Sequence, residues 1–501
     1  MKEKLSRKLA QNVEALKNIF QDSSDLVYRT VQFTESQQGL VAYIEGMVDT
    51  KGIEQHIIAP LIEGLVKAEG QVERLSELPF TRIPLTQMAT VSDWTGVIEA
   101  ILTAHVVIFM DDSNEALTFD VKGGSRRSVE EPSTETVIRG PREGFTESLR
   151  INTALLRFKI KTEKMRLKSL VVGRITKTDV AVAYIDGLAK QELVDSVVDR
   201  LQQIDMDGIL ESGYIEEWIE DNPSSPFPQM QYSERPDTIA AQLLEGKIAI
   251  FVDGTPFVLV APVTLWQLLQ SSEDYYERYF VVNFIRWIRL LFLIVALILP
   301  GLYIAVTTYH QDMLPSTLML SIATAREGIP FPVIIEALIM EISFEALQEA
   351  GIRLPKTIGQ AVSILGALVI GQASVQAGIV SAPMVIVVSM TGIASFTLPR
   401  FNLAVTVRML RFIIMFLAAV FGLFGIVVGT VWILVHLTQL KSFGVPYLTG
   451  VTPYRFRDFK DIFVRVPMWK MADRPHSSPL DNRRRIGTPK QRGRGEEYEG
   501  W

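Results

Sequence analysis

The 501-residue sequence contains no cysteine and only five scattered histidines, His56, His105, His310, His436 and His476. The first absence excludes disulfides, thiolate catalysis and cysteine-ligated metal centres. No H-E-x-x-H pair, G-x-S-x-G elbow or G-x-x-x-x-G-K-[ST] phosphate loop occurs, so metal-assisted hydrolysis, triad chemistry and nucleotide hydrolysis have no footing. The expectation is a protein that is not an enzyme and has no cofactor and no metal site. Charge is missing in a more informative way. Residues 290–309, 357–399 and 412–440, 92 in all, contain no Asp, Glu, Lys or Arg. The first twenty residues lack the apolar core of a signal peptide, which predicts a cytoplasmic N-terminal region.

What is present follows the same segregation. Hydrophobic residues make up 48% of the chain and charged residues 21%, and the mean hydropathy is +0.22, which excludes a one-domain soluble protein. An apolar helix of about 20 residues crosses about 30 Å of hydrocarbon. Regional net charges of −13 for 1–286, +1 for 287–440 and +6 for 441–501 separate a soluble part, a membrane part and a basic tail. The expected organisation is an N-terminal helix (1–21), an α/β subdomain (22–130), a connecting basic helix (131–164), a second α/β subdomain (165–286), an all-α polytopic membrane domain (287–440) and a cytoplasmic tail (441–501) disordered beyond about 472.

The two α/β subdomains are expected to be duplicates. Val41-Ala-Tyr-Ile-Glu-Gly-Met47 recurs as Val182-Ala-Tyr-Ile-Asp-Gly-Leu188, 141 residues on, and the run 101–111 resembles 243–253 at a spacing of 142. Strands 248–252 and 257–260 around Asp253-Gly254 read as a hairpin. Basic residues from Arg150 to Lys168, including Arg157 and Arg166, read as a solvated helix face, or as contacts to an acidic partner or to lipid headgroups. A small ligand between the lobes and an assembly platform are both compatible with this pattern. Gly123-Gly-Ser-Arg-Arg127 reads as a hairpin tip, and Asp205-Met-Asp-Gly208 as a helix-ending turn without the later acidic ligand of a calcium loop.

In the membrane part, four spans are expected at 288–308, 358–379, 382–399 and 411–437, with Pro300-Gly301 kinking the first and both termini in the cytoplasm. That topology turns Arg400, Arg408 and Arg411 outward. The helix 333–351 carries Glu341, Glu345 and Glu349 on one face and Glu336 opposite. Three roles stay open for it: a helix at the headgroup surface, a buried network, or a ring of cation-attracting carboxylates formed by several chains. Gln360, Ser363, Ala367, Gly371 and Ser374 form a small and polar helix stripe that either packs against another helix or lines a pore. The tail's Arg483-Arg-Arg485, Lys490, Arg492 and Arg494 suit anionic lipid or simple solubility.

The ordered motifs Gly140-Pro-Arg-Glu-Gly-Phe145, Ser225-Pro-Phe-Pro228, Glu234-Arg-Pro-Asp237, Ile250-Phe-Val-Asp-Gly-Thr-Pro256 and Glu273-Asp-Tyr-Tyr276, with Glu327-Gly-Ile-Pro-Phe-Pro332 and Gly351-Ile-Arg-Leu-Pro355, resemble the GerA family of bacterial spore germination proteins over roughly residues 20–470. The family-motif residues carried over are Gly140, Pro141, Arg142, Glu143, Phe145, Arg235, Pro236, Asp237, Asp253 and Gly254; Gly144 departs from the alanine expected there. The resemblance implies the A subunit of a nutrient germinant receptor in the inner membrane of a bacterial endospore. Its implied partners are a permease-like nutrient-sensing subunit, a lipoprotein subunit and further copies of itself, with anionic lipid as an additional contact and no nucleic acid. It also implies a nutrient-gated channel for monovalent cations. A non-conducting scaffold that clusters receptor partners is the alternative, and a substrate transporter ranks behind both because no inverted repeat is seen in the membrane part.

Overall fold

A computed structural model of the chain describes residues 4–21, 23–33, 37–62, 88–123, 131–354, 366, 371–452, 459–474, 482, 484 and 485. The chain forms two compact units, one of residues 1–223, 230–262 and 468–501 and the other of residues 224–229 and 263–467.

The first unit is α/β. Helix α1 (Leu9–Phe20) precedes β1 (Leu26–Gln32), β2 (Gln38–Ile44), β3 (Met88–Val91), α2 (Trp94–Leu102), β4 (His105–Met110) and β5 (Ala116–Asp120). These strands make an antiparallel sheet of order β1-β2-β4-β5-β3. After α3 (Leu149–Lys159) come β6 (Met165–Val172), β7 (Thr178–Ile185), α4 (Gln191–Gln202), α5 (Ser212–Ile219), β8 (Gln231–Ser233), α6 (Pro236–Leu244), β9 (Ile248–Val252) and β10 (Val258–Ala261). Their sheet has the equivalent order, β6-β7-β9-β10-β8. The segments that repeat in the sequence are the paired inner strands of the two sheets, and Val41 opposes Ile108 just as Val182 opposes Ile250. Strand β4 from Val106 onward and the whole of β9 are apolar and buried. Asp93 caps α2 by accepting from the Gly96 N–H, which sets Trp94, Val97 and Ile101 on the sheet. On α4, Val194, Val197 and Leu201 are buried at the expected period; each such side chain contributes about 1.5–3 kcal/mol.

The connecting segment is not one helix over 131–164. Only α3 is helical there, and strand β6 begins at Met165. Pro132 and Gly140-Pro141 explain this, since proline disfavours helix both at its own position and at the preceding residue.

The second unit is helical: α7 (Tyr279–Thr308), α8 (Ser316–Arg326), α9 (Val333–Arg353), α10 (Ala382–Phe396), α11 (Phe401–Phe421) and α12 (Leu423–Gln439). By length and apolarity α7 and α11 suffice to cross a membrane, while α10 and α12 are shorter apolar helices. Pro300 sits inside α7 without interrupting it, and a Cβ on Gly301 would lie 3.0 Å from Ile414 Cγ2, so this glycine lets α7 approach α11 closely. The single span expected at 411–437 is two helices. Gly422 adopts φ +61° between them, a conformation costly for other residues. The returning helix packs tightly, for a Cβ on Gly425 would lie 2.0 Å from the Leu417 carbonyl oxygen. The expected span 358–379 falls largely outside the described residues.

Candidate functional site

In the α/β unit, the family-motif residues are brought together as a latch around α6 and the β9–β10 turn. Arg235 is buried and donates from Nη2 to the Pro141 carbonyl (2.8 Å) and to Asp237 (2.9 Å), and from Nη1 to the Glu135 carbonyl (3.2 Å). Pro236 opens α6, where its missing N–H costs nothing. The Phe145 N–H donates to the Glu234 carbonyl (2.7 Å), and its ring meets Phe251 edge-on at 5.5 Å. Asp253 accepts from the Leu149 N–H (3.0 Å), and the Gly254 N–H donates to the Glu147 carbonyl (2.8 Å) with Gly254 at φ +90°. Glu143 pairs with Lys159 at 2.9 Å, while Gly140 takes φ +147° and Arg142 lies exposed 3.9 Å from Glu131. These contacts shape the fold; they do not converge on a ligand.

The basic face expected over 150–168 is also rearranged. Arg157 is 1% exposed; its Nε donates to Asp25 (2.7 Å), and its Nη2 to Asp25 (3.0 Å) and Ser23 Oγ (3.1 Å). Arg166 is buried on β6 and donates to the Ile19 carbonyl. Asp205 and Asp207 face Arg174 at 3.4 and 3.1 Å, and among the described residues no cluster of three or more His, Asp or Glu could hold a metal. Of the segment 123–127, only Gly123 is described.

Helix α5 carries one displaced titration. Glu211 caps it, accepting from the Gly213 N–H (2.6 Å) and from Thr255 Oγ1 (3.0 Å). Burial, with the Glu220 and Glu211 carboxylates nearby, pushes Glu216 from its ordinary 4.5 up to about 8. The folded chain therefore keeps a proton that the unfolded chain releases. The resulting destabilisation is absent below about pH 4.5, grows as pH rises towards 8 and is constant above that. Glu216→Gln is expected to raise stability at pH 8 by about 1 kcal/mol or more, the equivalent of one pKa unit, and to leave it unchanged at pH 4; melting curves of both forms at the two pH values check this.

In the helical unit the motif Ser225-Pro-Phe-Pro228 packs against α11, α12 and the segment after it. Thr406 Oγ1 donates to the Pro226 carbonyl (2.5 Å), Tyr447 to the Pro228 carbonyl (2.8 Å) and Ser442 Oγ to the Gln229 carbonyl (2.6 Å). Ser225 Oγ lies 2.8 Å from His436 Nε2, and Phe227 is buried between His436 and Tyr447.

The glutamates of α9 form the densest buried charge in this unit. Glu341 and Arg411 are both 0% exposed, with Arg411 Nη1 3.0 Å from Glu341 Oε2. Arg411 Nη2 also donates to Glu345 (3.1 Å), and Arg408 Nη1 binds the other Glu345 oxygen (3.0 Å), leaving Glu345 29% exposed. Glu336, on the opposite side, accepts from the Ser381 N–H (2.6 Å) and hydroxyl and lies 3.4 Å from Arg326. Glu349 is exposed and pairs with Arg353 at 2.7 Å, as its i,i+4 spacing allows. Two buried carboxylates and the partly exposed Glu345 thus meet three arginines. Arg408 and Arg411 turn into the unit towards α9. Arg408 and Arg411, three residues apart, share one face of α11, and Glu341 and Glu345, four apart, share one face of α9.

Of the stripe, Gln360, Ser363 and Ala367 lie outside the described residues. Gly371 and Ser374 share a helical turn and are half-buried; a Cβ on Gly371 would be 3.7 Å from Val385, and the Ser374 carbonyl accepts from the Ile379 N–H. In the tail, Arg485 is tied to Glu245 (2.5 Å) and is not free for lipid, whereas Arg483, Lys490, Arg492 and Arg494 lie outside the described residues.

Comparison with known proteins adds to this geometry. A family model described as Bacillus/Clostridium GerA spore germination protein matches residues 14–477. Similar proteins from Bacillus subtilis (strain 168) include the membrane protein YfkQ, 56% identical over 471 residues (94% of this chain, 91% of that protein). Spore germination protein KA is 43% identical over 485 residues (96% and 89%), and spore germination protein B1 is 38% identical over 477 residues (95% and 98%). Among solved structures, the N-terminal domain of the A subunit of the Bacillus megaterium spore germinant receptor GerK3 matches 52% of this chain and 97% of that chain, at 34% identity and a TM-score of 0.43.

Proposed function

Because the chain belongs to the GerA family of Bacillus/Clostridium spore germination proteins, we propose that it is the A subunit of a nutrient germinant receptor whose copies surround a gated path for monovalent cations in the inner membrane of an endospore. It works beside a permease-like subunit that senses the nutrient and a lipoprotein subunit, with the α/β unit and the tail on the cytoplasmic side.

The observation that carries the conducting role is the buried charge on α9 and α11. Ionised side chains within an apolar helical unit are costly, and they are kept where they pair or serve ion movement. In this reading Arg411 and Arg408 hold Glu341 and Glu345 inside the chain, and the exposed Glu349 with the open edge of Glu345 supplies negative charge to the path. Gln360, Ser363, Ala367, Gly371 and Ser374 line it.

Ser374→Leu and Gly371→Leu are expected to abolish potassium release from nutrient-treated spores at wild-type protein levels. Release at the wild-type rate would show that the stripe lines no path. A non-conducting scaffold is the second reading, favoured by the same ion pairs, since Glu336, Glu341 and Glu345 all find arginine partners within one chain.

A further inference from the structure

The charge-free run of α7 begins at Leu290, and the turns before it hold a second group of buried charges. Asp274 accepts from Arg286 Nε (3.2 Å) and from Arg289 Nη1 (3.0 Å) and Nη2 (3.3 Å). Arg286 Nη1 also donates to the Asp461 carboxylate (3.0 Å) and backbone carbonyl (2.6 Å). Arg465 is buried and donates to the Glu277 carbonyl (2.9 Å), and the Tyr275 ring lies between Arg286 and Arg465 at 5.7 and 5.8 Å. Arg286, Arg289 and Arg465 therefore bring three positive charges to two carboxylates.

Three donors here lack acceptors, the Arg465 Nε–H among them. Arg286, whose side chain is 5% exposed, has no partner for Nη2, and the buried indole Nε1–H of Trp266 has none either. An unpaired buried donor carries a desolvation cost that a ligand removes. Arg286 and Trp266 line one small cleft, whose other walls include Leu269, Leu290, Ile462 and Phe463. At the mouth stands Trp287, exposed, with Phe284 and Leu291 exposed on the same helix. Tryptophan at such a level belongs to the membrane–water interface.

We propose that this cleft binds the phosphate group of an anionic phospholipid. The oxyanion takes the Arg286 Nη2–H and Trp266 Nε1–H donors and balances the excess positive charge, while the glycerol and first acyl carbons lie outside the cleft along exposed Trp287 and Leu291. A charged guanidinium N–H and an indole N–H suit a phosphate oxygen, and the apolar residues at the mouth favour a lipid over free phosphate. The site is independent of whether the chain conducts ions.

The test uses the full chain in mild detergent, stripped of lipid and then mixed with phosphatidylglycerol or phosphatidylcholine of matched acyl chains, with retained lipid counted by native mass spectrometry. Wild type is expected to retain phosphatidylglycerol about 10-fold over phosphatidylcholine, and Trp266→Phe, which keeps the ring and removes the donor, to lose about 10-fold of that retention, the effect of one hydrogen bond to a charged acceptor. Equal retention of the two lipids by wild type overturns the site without any variant. So does unchanged retention by a Trp266→Phe chain that melts like wild type, or full displacement of phosphatidylglycerol by millimolar inorganic phosphate.

Discussion

Replacing Arg411 by methionine is expected to cost about 3–5 kcal/mol, because it leaves Glu341 buried without its counter-charge. Both side chains are fully enclosed, and the same guanidinium also holds Glu345, so one substitution removes two ion pairs. The readout is chain abundance in the membrane fraction together with the melting temperature in detergent. A paired change, Arg411→Met with Glu341→Leu, is expected to recover most of the loss, since exchanging a whole buried pair for apolar groups of similar size is often neutral. If Arg411→Met alone behaves like wild type, the network contributes nothing to the fold.

An effect of the same size is expected from Arg157→Leu in the α/β unit. Arg157 reaches back from α3 to Asp25 and Ser23 at the start of β1, and Asp25 is itself buried. Removing the guanidinium strands a buried carboxylate at about 3–5 kcal/mol. Arg157→Lys is expected to rescue little, because an ammonium cannot make the two parallel bonds to Asp25 and a third to Ser23. The control lies on the same helix: Arg150 pairs with Glu45 at the surface, and Arg150→Leu should cost less than about 1 kcal/mol. Denaturant midpoints of the three variants separate the cases; equal small losses at positions 150 and 157 would mean that the buried pair is not a clamp.

Patterns carried by neighbours in the chain were legible in the sequence. The repeated Val41 and Val182 segments are inner strands in equivalent registers, the Asp253-Gly254 turn joins β9 to β10, and α9 is a helix with its acids where periodicity put them. Patterns that depend on distant partners were not. Nothing local distinguishes Arg157 from a solvated arginine, because its carboxylate lies 132 residues away. Arg411 and Glu341 are 70 residues apart, and in the sequence Arg408 and Arg411 read as markers of topology. The break at Gly422 is a backbone event inside an unbroken apolar run, so composition could not reveal it. The family motifs point to the right family, yet their residues mostly secure α6 and the β9–β10 turn, which makes them strong signals of identity and weak signals of a site.

The measurement closest to the central claim is potassium flux from liposomes that contain the purified chain assembled with its receptor partners. A conducting A subunit predicts nutrient-dependent efflux that disappears with Ser374→Leu while the complex stays intact. Absence of efflux from the intact wild-type complex with nutrient bound, under every opening condition, would contradict it and leave the chain a scaffold.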